Sequence, residues 1–237
     1  SMSKKTINQN TSHEIELINL IESGIVFSNK PIDRIKKGQN ISDDKLHKKN
    51  DLEFLIKEIS SIQNCNSSNI ILGEGNINSP LMFVGEAPSS NKNSTNNSTL
   101  NEEVDTLFKK MLNAINIKKE NIYLTYAINF KLEDNYKPNT SEIKKYSIFL
   151  QKHISIINPK IIILMGSTAM EAVTNLNNKI SDERGNWKEI ILKNKTYPLM
   201  ITYSPSYLIR FSENKKYSWE DLKKIRKKIE DLEINIL

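Results

Sequence analysis

Thr202-Tyr203-Ser204-Pro205-Ser206-Tyr207-Leu208-Ile209-Arg210 follows an apolar, strand-like run over residues 197–203 and precedes a basic helical segment. That order predicts a rigid turn at the end of a β-strand. Pro205 between two serines fixes the backbone, and serine hydroxyls and free N–H groups at such a turn can hold a phosphate. Tyr207 and Leu208 read as outward-facing apolar side chains backed by Arg210. A loop of this kind suits a nucleic-acid backbone, with an apolar wedge ready for the base stack. The same residues also read as a common turn whose apolar side chains cap the core. The rest of the chain has to decide between the two.

Working back from that turn, strands and helices alternate. Residues 160–165 form a continuous apolar run between Pro159 and Gly166, the pattern of a central parallel strand buried on both faces. Short strands are predicted over 70–72, 81–84, 122–128 and 190–192, with the turn Gly73-Glu74-Gly75-Asn76 between the first two. Helices are predicted over 101–115, over 140–157 with Thr140 as cap, and over 167–175. This alternation implies an α/β fold, a three-layer α/β/α sandwich with a central, mainly parallel four-stranded sheet plus N-terminal helices. Residues 1–48 read as a polar arm with a short helix over 13–25 and a lysine-rich mobile stretch over 28–50. Asp51 is placed to cap the next helix, and the folded domain is expected over 49–237.

The bulk properties narrow the function classes. The chain has 237 residues, 38% of them hydrophobic and 26% charged, which is ordinary globular chemistry. No apolar run reaches membrane-spanning length and no secretory leader is legible, so a cytoplasmic protein without membrane attachment is expected. One cysteine, Cys65, excludes an internal disulfide framework and multi-cysteine zinc patterns, and no metal site is expected. The formal net charge of +6 favours a polyanionic partner, with lysines and Arg226 crowding the last helix.

In doubly wound sheets ligands sit beyond the carboxyl ends of the strands. The loop after residue 84, Gly85-Glu86-Ala87-Pro88-Ser89-Ser90, sets a carboxylate directly at a strand end, placed to orient a water or accept hydrogen bonds from a base. The loop after Met165 brings Ser167 to the same edge. A solvated glutamate in an ordinary turn is the alternative reading of the first loop.

Taken together, Gly85-Glu86-Ala87-Pro88 and the 202–210 segment resemble the uracil-DNA glycosylase superfamily, specifically its family 4 group, whose loops read G-E-[AG]-P-G and T-x-H-P-[SA]-x-L-[LI]-R. Landmarks between them fall in the family's order: Gly73-Glu74-Gly75-Asn76, Ile122-Tyr123-Leu124-Thr125, Pro159-Lys160 with residues 164–169, and Arg184-Gly185 with Trp187. The resemblance covers residues 65 to about 230. It implies hydrolysis of the N-glycosidic bond of a flipped deoxyuridine, with DNA, single-stranded or as a uracil-containing duplex, as partner. A monomer is expected. Carried over residue by residue, Glu86 and Ser204 hold the catalytic positions. Gly85, Ala87, Pro88, Leu100 and Tyr126 line the base pocket. Ser89, Ser167, Pro205, Ser206, Tyr207, Leu208 and Arg210 meet DNA, with Leu208 as the wedge.

The departures fall at functional positions. Ser204 replaces the family's histidine, Tyr126 its base-reading asparagine, and Leu100 falls where it has a stacking phenylalanine. The family's 4Fe-4S cluster is expected to be absent: two of its cysteine positions hold Phe130 and Tyr146, and one thiolate cannot hold four irons. Three readings follow: a divergent glycosylase, a DNA-binding member without excision, and a small-ligand protein on the same fold. The retained loops favour the first two. The joint loss of histidine, asparagine and cluster ligands favours the second over the first.

Overall fold

The computed structural model describes residues 6–8, 40–63, 67–89, 98–133 and 136–236. Its strands are β1 (Thr6–Asn8), β2 (Gly73–Gly75), β3 (Leu81–Gly85), β4 (Tyr123–Tyr126), β5 (Ile161–Met165), β6 (Trp187–Leu192) and β7 (Lys195–Thr202). Its α-helices are α1 (Asn40–Gln63), α2 (Glu102–Ala114), α3 (Thr140–Ile157), α4 (Ser167–Thr174), α5 (Ile180–Glu183), α6 (Pro205–Arg210) and α7 (Lys215–Asp231).

The four expected central strands lie in the order β7-β5-β3-β4, all parallel. Antiparallel β6 beyond β7 and β2 beyond β4 extend the sheet, and β1 pairs with β6, giving a seven-stranded sheet among the described residues. Both sheet faces are covered because alternate side chains of each strand point opposite ways. Met82, Val84, Ile162 and Leu164 face a core closed by α1, α3 and α4. Leu81, Phe83, Ile161 and Ile163 face a second core, which Phe108 and Leu112 of α2 and Leu222 and Ile225 of α7 complete. The result is the three-layer α/β/α sandwich.

Local expectations needed correction in several places. The strand expected over 70–72 is irregular backbone after a short 3-10 turn at Ser67–Asn69, and the Gly73-Glu74-Gly75 turn itself pairs with β4. Glycine is required there, since a Cβ on Gly73 would run into the Leu124 carbonyl. Asn139, not Thr140, caps α3, its side chain accepting from the Glu142 N–H at 2.9 Å. Helix α1 begins at Asn40, so Asp51 lies inside it and the expected mobile stretch is helical over its second half. Lys48 of that helix reaches the carbonyls of Ile77 and Ile157, at 3.3 and 3.1 Å. Leu52, Leu55 and Ile59 bury its apolar face. The helix expected over 13–25, Cys65 and Ser90 lie outside the described residues.

Candidate functional site

The carboxyl ends of β3, β4, β5 and β7 open into one cleft of about 730 Å³. It is lined by Gly85, Glu86, Ala87, Pro88 and Ser89 from the loop after β3, by Leu100 and Tyr126, by Ser167, and by Ser204, Pro205, Ser206, Tyr207 and Arg210. All the sequence-predicted site residues except Leu208 therefore share one cavity, although they span more than half of the chain.

The loop after β3 is pinned by its neighbours. The Gly85 and Glu86 carbonyls accept from the N–H groups of Ala127 and Ile128, both at 2.9 Å, so pairing continues past the end of β4. The Glu86 side chain is exposed to the cleft, and one oxygen accepts the Thr168 hydroxyl at 2.6 Å. Thr168 was not among the sequence-predicted site residues. Its only signal was its place at the second position of a helix opening beside the cleft. Gly166 caps that helix, with a φ of +96° that suits glycine and a missing Cβ that leaves Ser204 room to approach.

Tyr126 closes the floor. Its ring lies against Gly85, where a Cβ would come within 3.2 Å of it, and it is 1% exposed. Burial pushes its phenol pKa well above the usual range, so it stays protonated and available as a donor. Its hydroxyl is hydrogen-bonded to Thr99 Oγ1. Thr99 in turn ties the wall together: its carbonyl accepts from Ser89 N–H at 2.8 Å, and its own N–H donates to Glu74 at 3.0 Å. Glu74 is ion-paired with Lys119, which also pairs with the buried Asp105. Burial works to raise the Asp105 pKa, but hydrogen bonds and charge from Lys119 and Lys109 outweigh it and hold the carboxyl below its usual range. Leu100 is thereby carried on a braced segment.

The opposite rim differs from its sequence reading. The expected loop is the helix α6, with Ser204 as N-cap and Pro205 at its first turn. Ser204 Oγ accepts from Tyr207 N–H at 3.2 Å and lies 3.2 Å from Ser206 Oγ. The expectation that Leu208 points outward is corrected: it is 1% exposed, because Pro205 and Leu208, three apart, share the buried face of the helix. Tyr207 instead stacks on Tyr203 at 4.8 Å and 15° between ring planes. Beneath this rim Asp221 of α7, fully buried, accepts the Thr202 hydroxyl at 2.7 Å and is ion-paired with Arg184. Lys224 donates to the Gly185 carbonyl at 2.7 Å, so the Arg184-Gly185 landmark is a clamp for α7 and not a cleft residue pair.

A doubly wound α/β protein with an acidic loop and a capped helix facing one cleft at the strand ends is the class that these features define. A family model for the Uracil DNA glycosylase superfamily matches residues 72–226, and the chain belongs to that superfamily. Its likeness is to the family 4 group. The chain is 29% identical over 164 residues to the type-4 uracil-DNA glycosylase of Thermotoga maritima, covering 68% of this chain and 83% of the relative. The Archaeoglobus fulgidus protein of the same name is 25% identical over 182 residues, with 73% and 91% covered. That of Sulfurisphaera tokodaii is 26% identical over 185 residues, with 74% and 83% covered. These relatives support a function within the uracil-DNA glycosylase family.

The iron-sulfur cluster implied by the resemblance does not fit the residues present. Phe130 and Tyr146, at two of the implied ligand positions, pack edge to face with ring centroids 5.3 Å apart and planes at 71°. Neither supplies a thiolate, and the sequence holds one cysteine. Among the described residues no group of three or more His, Cys, Asp or Glu side chains could hold a metal ion. No described helix is long and apolar enough to cross a membrane.

Proposed function

We propose that the protein is a divergent family 4-like DNA glycosylase, hydrolysing the N-glycosidic bond of a uracil flipped out of DNA as the first step of base excision. The observation that carries this reading is the Glu86 carboxylate, oriented by Thr168 at 2.6 Å and sharing one cleft with the serines of α6. A flipped base enters between the loop after β3, Leu100 and Tyr126. A water held by Glu86 attacks C1′ of the deoxyribose, and the bond from C1′ to N1 breaks with its electron pair leaving on uracil. The sugar keeps the water oxygen as a hydroxyl, one water proton passes to Glu86 or solvent, and the departing base takes up a proton. The same carboxylate stabilises the positive charge that develops on the sugar. Pro205, Ser206 and Arg210 grip the phosphates, whereas Leu208 would have to leave the core before it could enter a base stack.

Ser204 sets the expected rate. Its oxygen already accepts the Tyr207 N–H and lies within hydrogen-bond distance of the Ser206 hydroxyl, so it offers at most a single neutral donor toward the uracil oxygen, and only when its proton is turned away from Ser206. Losing one preorganised donor costs about two to three orders of magnitude, so slow turnover is expected. That engagement, with the Tyr126 phenol bound to Thr99, favours one second reading: a member that docks on DNA without excising a base.

A gel assay for abasic sites on a single-stranded uracil oligonucleotide and a G·U duplex tests both. Slow abasic-site formation that Glu86→Ala abolishes and Ser204→His accelerates supports the glycosylase. Salt-sensitive binding with no abasic sites supports the docking protein, and no binding sinks both.

A further inference from the structure

Three aromatic rings, of which Tyr203 and Tyr207 line the cleft, lead from its wall to the surface at Phe211. Tyr203 stacks on Tyr207, and Tyr207 meets Phe211 at 4.8 Å with ring planes tilted by 37°. Phe211 is 38% exposed, and Arg210 covers one side of it with its guanidinium 5.4 Å from the ring centroid. Tyr217, at the start of α7, is 40% exposed and carries Lys216 at 5.1 Å and Arg184 at 5.2 Å from its ring centroid. Lys215 and Lys216 are exposed beside it, and Glu213 is the one acid of the intervening turn. A contiguous run of aromatic side chains reaching the surface beside cations marks a candidate interaction surface.

We infer that this strip, in which Phe211 and Tyr217 are the exposed rings, Tyr207 links Phe211 to the cleft, and Arg210, Lys215 and Lys216 carry the charge, docks unpaired nucleotides of single-stranded DNA next to a base held in the cleft. Charge selects a polyanion, and exposed rings select bases with a free face. In a duplex those faces are covered by the neighbouring pairs, whereas an unpaired base stacks on a ring irrespective of its identity. Continuity with the cleft through Tyr207 places the strip where the strand flanking a flipped nucleotide would run. The inference rests on the DNA reading of the cleft and adds a preference for the unpaired form of that substrate.

Fluorescence anisotropy of the full chain with a uracil-free oligothymidine strand, alone and annealed to its complement at one salt concentration, tests the strip without any turnover. The single strand should bind more tightly than the duplex. Phe211→Ala and Tyr217→Ala should each weaken single-strand binding about tenfold with little effect on the duplex. Phe211→Leu, which keeps the apolar bulk and guards against a folding defect, should weaken it too, and Phe211→Trp should restore it. Wild-type affinity for the single strand in the alanine variants, or an equal loss on both forms, would overturn the inference. The excision assay is independent: a chain that makes no abasic sites but shows this pattern keeps the strip and loses the glycosylase reading. One that excises with the strip variants binding normally does the reverse.

Discussion

The two rims of the cleft are built differently. On the β3 rim, Gly85, Glu86 and Ser89 are tied through backbone hydrogen bonds to Ala127, Ile128 and Thr99, and Thr99 is tied in turn to the Glu74 and Lys119 pair. On the β7 rim, a short helix carries its own cap in Ser204 and presents a stack of rings toward solvent. On the proposed reading, bond cleavage needs a carboxylate fixed to within a fraction of an ångström, which the hydrogen-bonded rim that holds Glu86 would supply. Docking a flexible strand tolerates adjustment, and stacked rings beside cations supply affinity without demanding one geometry.

The largest effect should come from beneath the β7 rim. Asp221→Ala removes the acceptor of Thr202 and the partner of Arg184, and should destabilise the fold by about 3 kcal/mol, read as a lower denaturant midpoint. An unchanged midpoint would show that the rim does not depend on this clamp. Thr168→Val, nearly the same in volume, frees Glu86 without emptying the site. It should slow excision about tenfold at unchanged DNA affinity, and a change in affinity instead would blur the division between the rims. Ser204→Ala should cost about 1 kcal/mol through the lost cap, measurable by denaturant unfolding.

The smallest effect near neutrality concerns pH. His153, fully buried between Tyr123 and Thr125 beside the β3 rim, has its pKa pushed down to about 3 by burial. The unfolded chain binds that proton near the ordinary histidine value of 6.5 and the folded chain does not, so stability falls as pH drops below 6.5 and levels off below about 3. The slope reaches at most about 1.4 kcal/mol per pH unit. His153→Gln should flatten that part of the stability profile, and an unaltered profile would assign it to other groups.

Much of the sheet was legible because its central strands are nearly uninterrupted apolar runs: residues 81–84 lie between Pro80 and Gly85 and residues 160–165 between Pro159 and Gly166, which mark where a buried strand stops. Both site loops were legible too, since glycine, proline and serine at a strand end leave few local alternatives. What escaped was long-range. Thr168 acquires its role from Glu86, 82 positions away, and nothing adjacent to it in sequence says so. Leu208 looked exposed in a loop, but once Ser204 caps a helix its position faces the core. The start of α1 was hidden because the apolar face of that helix begins only at Leu52. The stack of Tyr203, Tyr207 and Phe211 was visible as aromatic residues four apart only after the segment was known to be helical.

The central claim is that Glu86 performs chemistry while the α6 rim performs docking. The most direct test is single-turnover formation of abasic sites on a uracil-containing single strand by the wild-type chain and Glu86→Gln, with affinity measured on the same strand. The proposed function predicts slow excision by the wild type and a rate about a hundredfold lower in Glu86→Gln at equal affinity. Equal rates in the two proteins, or a loss of rate that merely follows a loss of binding, would contradict it.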